Sequence, residues 1–226
     1  MEKKMLENEI ENVAAAQLED AQTEGAGMHS STKKAFKTRF SSKRLALMAV
    51  FVAISFVVSL WETPALPLFG TNFLKLDFGN VFIVLISFLL GPIEGVLVCL
   101  LKEGMRCFSS PTMCVGELGN FIITSSYLLL PSILYQYRRN LKTVIWSLLV
   151  ACLIATGAAL LTNRFILLPL YKKMEFPIML GMTVGEAFAI FWPAILIFNL
   201  LKTFLIGFLT MLLYKRLSNF IKKMKI

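Results

Sequence analysis

The sequence predicts an all-α membrane protein, a bundle of six transmembrane helices with both termini on the cytoplasmic side. Three observations carry this. Of 226 residues, 57% are hydrophobic and only 16% charged, and the mean hydropathy of +0.70 lies far above that of a soluble globular enzyme. The apolar residues gather into runs of the length that crosses a bilayer. On a six-helix topology, 16 of the 23 Lys and Arg residues fall on the inner side, as the positive-inside rule requires. The net charge of +9 therefore reads as contact with anionic lipid head groups, and nucleic-acid binding is not expected.

Residues 1–40 form a polar segment. Met1 to Ser31 carry seven acids and no aromatic residue, a composition that favours a mobile cytoplasmic tail. No apolar stretch precedes Leu45, so a cleaved signal peptide is not expected, and the membrane domain is assigned to residues 41–226. Its first run, Leu45 to Trp61, has no charge over 17 residues and follows six basic residues between Lys33 and Arg44, the flanks of a first span entering from inside. Thr63 to Gly70 contains Pro64, Pro67 and Gly70, which oppose helix in an otherwise apolar stretch, and reads as an external loop folded back on the bundle.

Phe78 to Leu101 contains one charge, Glu94, in 24 residues. A single long span would place Lys215, Arg216, Lys222, Lys223 and Lys225 outside. Two short helices broken at Gly91-Pro92 place them inside, so the charge rule selects the pair, Asp77 to Leu90 and Ile93 to Cys107. The remaining spans are Gly116 to Tyr137, Thr143 to Asn163 and Ala187 to Tyr214, with Arg138, Arg139 and Lys142 marking an internal turn.

Lys202 is the most informative residue. Fifteen uncharged residues precede it and twelve follow, and a lysine at mid-membrane costs roughly 2.5 to 3.5 kcal/mol on insertion scales. Asn199, three residues earlier, shares its helical face. Asn163 ends the predicted fifth helix; if that helix neighbours the sixth, Asn163, Asn199 and Lys202 line one pocket suited to a neutral, oxygen-rich ligand. Snorkelling or internal ion pairing is the plainer account of Lys202.

Lys102, Glu103 and Arg106 are expected to be structural, pairing ions and anchoring a helix end. Glu94, Glu117 and Glu186 stand near helix starts, where a carboxylate complements the positive dipole end. Ala49 and Ala53, with Ala46 behind them, make a small-xxx-small face that lets another helix approach closely. Cys99, Cys107, Cys114 and Cys152 show no paired ligand spacing and read as small hydrophobes. The single histidine, His29, lies in the tail, which leaves the membrane domain without histidine-based zinc or triad chemistry and no metal site is expected. No Walker-A loop is present, so any ATP hydrolysis must come from another subunit.

Several segments together resemble the riboflavin-specific substrate-binding S component of energy-coupling factor (ECF) vitamin transporters. They are Leu74-Lys75-Leu76-Asp77-Phe78, Gly91-Pro92-Ile93-Glu94-Gly95, Val115-Gly116-Glu117-Leu118-Gly119-Asn120-Phe121, the run from Asn163 to Tyr171, and Phe198-Asn199-Leu200-Leu201-Lys202. Order and spacing fit from Lys43 to Lys223. The resemblance implies a six-helix S component of the cell membrane, not an enzyme, that captures riboflavin from outside as transported ligand, without a cofactor. Asn163, Asn199 and Lys202 match family positions that hydrogen-bond the flavin, and Lys75 matches a ligand-lining position.

Similarity further implies that Ala49 and Ala53 dock on a transmembrane coupling subunit, which works with two ATPase subunits. The sequence departs from the family pattern at Gly79-Asn80 and at Thr203, positions that bear on ligand selectivity. Two alternatives stay open: an S component for another vitamin, such as folate or thiamine, and, from a different class, a membrane enzyme or a ligand-free scaffold.

Overall fold

The computed structural model describes residues 41–61, 63–64, 74–137, 140–179 and 181–221. The tail expected over 1–40, with His29, the centre of the apolar loop at 65–73, and Arg138 and Arg139 of the expected turn lie outside them. The described chain is helical apart from one short ladder, in the order α1 (Ser42–Ser59), β1 (Thr63–Pro64), β2 (Lys75–Leu76), α2 (Gly79–Leu89), α3 (Pro92–Cys107), α4 (Val115–Tyr137), α5 (Leu141–Thr162), a π turn (Asn163–Leu167), α6 (Leu168–Lys173), a 3-10 turn (Pro177–Met179) and α7 (Val184–Ile221).

Four helical stretches are long and apolar enough to cross a bilayer: Ser42–Ser59, Val115–Tyr137, Lys142–Lys173 and Val184–Tyr214. The chain is thus a multi-pass membrane protein. The stretch that sequence reasoning divides at Gly91-Pro92 is indeed two helices. Gly91 has φ 137, a conformation open to glycine and strained for any side chain, and Pro92 opens α3, where its missing N–H costs nothing. The 11 residues of α2 rise only ~16 Å, about half the ~30 Å hydrocarbon core. A Cβ at Gly95 would collide with Ser87, so α2 and α3 pack closely behind the break.

The fifth helix departs from expectation. Sequence reasoning ends it at Asn163, before Arg164, whereas α5, the π turn and α6 run on as one stretch of 32 residues, Lys142–Lys173. Two local features explain the continuation. Pro169 has no N–H to bond Phe165, and a widened turn, in which the Leu168 N–H reaches the Asn163 carbonyl, absorbs that mismatch. The Arg164 guanidinium lies 5.5 Å from the centre of the Phe188 ring, so cation–π attraction and snorkelling hold a charge that would otherwise mark a helix end.

Of the three glutamates placed near helix starts, Glu186 caps one. Glu186 accepts from the Thr183 N–H at 2.8 Å while its own N–H donates to Thr183 Oγ1 at 3.3 Å, a reciprocal capping box at α7. Glu94 at the start of α3 accepts from Arg44 of α1 at 3.4 Å. Of the four cysteines, all free, Cys99 and Cys152 are buried and Cys107 and Cys114 half-buried. In the packing, α5 lies between α4 and α7, and α2 and α3 lean on α1 and α4. The neighbouring of α5 and α7 meets the condition on which the three-residue pocket depends.

Candidate ligand-binding site

A cavity opens among α4, the α5–π–α6 stretch and α7, beneath β2. All four site residues expected from the sequence, Lys75, Asn163, Asn199 and Lys202, line it. The π turn presents Asn163 inward while Phe165 and Ile166 face out. Asn163 Nδ2 donates to the Ala159 carbonyl at 2.8 Å, and its Oδ1 is buried with no hydrogen-bond partner. Asn199 Nδ2 donates in the same manner to the Ile195 carbonyl, also at 2.8 Å. A buried unpaired acceptor costs about 1–3 kcal/mol, a cost that a ligand bearing an N–H or O–H can remove.

Lys202, 5% exposed, donates from Nζ to Asn120 Oδ1 at 2.6 Å and lies 5.9 Å from the centre of the Phe198 ring. Asn120 Nδ2 donates in turn to Glu103 and, at 3.2 Å, to Asp77 Oδ2. Lys102 is fully buried and pairs with both carboxylates, bonding Asp77 and lying 2.6 Å from Glu103 Oε1. Two ammonium groups and two carboxylates thus balance within one buried cluster, as charges inside a membrane protein must.

The ion pairing expected within Lys102, Glu103 and Arg106 is present between Lys102 and Glu103, and all three residues are buried. Glu103 additionally lines the cavity. Glu117, expected only to complement a helix start, lines it too, where it accepts from Ser110 at 2.5 Å and from Thr112 at 3.1 Å. Sequence reasoning assigned no role to Asp77 or Asn120, although both lie in segments that carry the family resemblance. One signal was available: Asn120 follows Glu117 by one helical turn and shares its face. The departure at Gly79-Asn80 is used locally, since the Gly79 N–H donates to Asp77 Oδ1 at 2.8 Å and Asn80 Nδ2 donates to Asn120 at 3.0 Å. Thr203 Oγ1 donates to the Asn199 carbonyl at 2.7 Å. Lys75 sits on β2, opposite Pro64 in the antiparallel ladder. Ala49 and Ala53 lie away from this site, on the exposed face of α1.

A helical membrane domain whose cavity is lined by amides, lysines and carboxylates is of the class of membrane proteins that can hold a small polar molecule between their helices. The chain belongs to the family of ECF transporter substrate-specific components, whose model matches residues 43–214. It is 33% identical over 182 residues to the riboflavin transporter RibU of Staphylococcus aureus (strain TCH60), a match covering 80% of this chain and 94% of that protein. It is 25% identical over 189 residues to the riboflavin transporter FmnP of Bacillus subtilis (strain 168), covering 81% of this chain and 96% of that protein. A solved structure of the S component of a bacterial ECF transporter matches with a TM-score of 0.68 and 32% identity, over 80% of this chain and 98% of that one. The family is one of transport subunits, and the membrane-enzyme alternative falls.

Proposed function

We propose that this chain captures riboflavin outside the cell membrane and delivers it inward as the substrate-specific subunit of an ECF-type transporter. The observation that carries the reading is the convergence of Asn163, Asn199 and Lys202 on one cavity in a chain whose relatives are named as riboflavin transporters. Riboflavin presents an imide N–H between two ring carbonyls and a chain of hydroxyls. The buried Oδ1 of Asn163 suits the N–H, and the Lys202 ammonium suits a carbonyl or a hydroxyl. Glu103 and Glu117 offer acceptors to further hydroxyls, and Lys75, on β2, lines the same cavity.

In this reading the bundle counts six spans, with α2 and α3 as two short ones, and both termini are cytoplasmic. Ala49 and Ala53 dock on the transmembrane coupling subunit, and two ATPase subunits supply the energy. Riboflavin is cargo, so no cofactor takes part.

The test is a titration of the purified chain, stripped of ligand in detergent, with riboflavin while quenching of flavin fluorescence is followed. Saturable one-to-one binding, with a yellow chromophore in the unstripped preparation, is the expected result. A folded protein that neither carries nor quenches flavin but is saturated by folate or thiamine would retain the family and overturn the ligand.

A further inference from the structure

We propose that Asn120 is the positioning residue for Lys202, transmitting to its ammonium the fixed orientation of the buried Asp77–Lys102–Glu103 cluster. The inference rests on the riboflavin reading and extends it to Asn120, which itself lines the cavity, as the group that aims the Lys202 ammonium.

A lysine ammonium is a point charge on a flexible four-carbon stem, so its direction inside an apolar helix bundle must come from partners. Carboxylates such as Asp77 and Glu103 can only accept when ionised, and an ammonium can only donate. Asn120 stands between the two kinds of group, and its amide can satisfy both in one orientation alone. Nδ2 faces Glu103 and Asp77, and Oδ1 faces Lys202 at 2.6 Å. The carboxylates are themselves held by Lys102, which has no solvent exposure and bonds both.

The arrangement also keeps unlike charges apart. A direct Lys202–Glu103 ion pair would turn the ammonium toward the carboxylate and away from the cavity. The amide stands between the Lys202 ammonium and the Glu103 carboxylate, and Lys202 itself lines the cavity. Asn80 and Thr124 add bonds to Asn120 Oδ1 at 3.0 and 3.4 Å, which restrict the amide further.

A double-mutant cycle on the full chain in detergent separates this role from a structural one. Riboflavin affinity is read by fluorescence quenching in the parent, Asn120→Ala, Lys202→Ala and the double variant. Loss of Asn120 is expected to weaken binding about 10-fold or more in the parent but no more than about 2-fold when Lys202 is already absent. Equal losses in both backgrounds overturn the proposal, because an effect of Asn120 that does not pass through Lys202 persists when the lysine is gone. Should Asn120→Ala not fold, Asn120→Ser takes its place in the cycle, and failure of both to fold overturns the proposal by making Asn120 a determinant of the bundle. A parent that binds no riboflavin overturns the riboflavin reading and this inference with it, whereas binding with additive losses overturns this inference alone.

Discussion

Asn163 and Asn199 stand on different helices, yet each commits its Nδ2 to the carbonyl four residues back, at 2.8 Å in both cases. The two amides are thereby fixed by their own helices before any ligand arrives, and Asn163 keeps a buried acceptor without a partner. On the proposed reading the site is arranged for its ligand at the expense of its empty state.

The consequence is a separation of stability from binding at Asn163. Asn163→Leu removes the orphaned acceptor from an apolar surrounding and should leave the melting temperature in detergent unchanged or higher. Riboflavin affinity should fall about 10-fold or more, the effect of one lost buried hydrogen bond. A parallel melt and titration check both; a variant that melts lower and binds as well as the parent would contradict the assignment.

Lys202→Ala and Asn199→Ala should each weaken riboflavin binding, with the lysine the more severe, by about 10- to 100-fold for a hydrogen bond from a charged donor. Quenching titrations on folded, inserted protein provide the measurement. If both variants bound as tightly as the parent, the site would lie elsewhere.

Lys102→Met should be strongly destabilising, because it leaves Asp77 and Glu103 buried without their shared cation. Removing one partner of a buried ion pair costs roughly 3–5 kcal/mol. Adding Asp77→Asn removes one carboxylate, and with it the excess negative charge of the cluster, and should recover part of the loss, which thermal unfolding of the single and double variants would register.

Ala49→Leu and Ala53→Leu add bulk to a face of α1 that the rest of the bundle leaves exposed. Riboflavin binding by the isolated subunit should be unaltered, and co-purification with the coupling subunit should be lost. Intact co-purification of both variants would move the docking face off α1.

Much of the fold could be read from the chain because membrane insertion imposes strong rules on it. The Gly91-Pro92 break was resolved by counting charges on each side, and the break is there with φ 137 at Gly91. Lys202 and Asn199 announced themselves as polar groups in an apolar run, and both face the cavity. What escaped was of a different kind. Arg164 resembles a helix end in sequence, and the ring that receives its charge, Phe188, lies 24 residues on, beyond any local pattern. Asp77, Glu103 and Asn120 come from three separate segments, and their meeting depends on helix packing that no local pattern encodes.

The π turn at Asn163–Leu167 holds one residue more than an α-helical turn would. A turn one residue wider takes up that residue locally, so the α-helical halves before and after it keep the phase they would have in an unbroken helix. The same extra residue placed in regular α-helix would instead swing one half by about 100° against the other and carry the buried Leu168 and Tyr171 off the core. The irregular turn is how a 32-residue helix takes an additional residue, with Asn163 at the cavity, and keeps the register of its two ends.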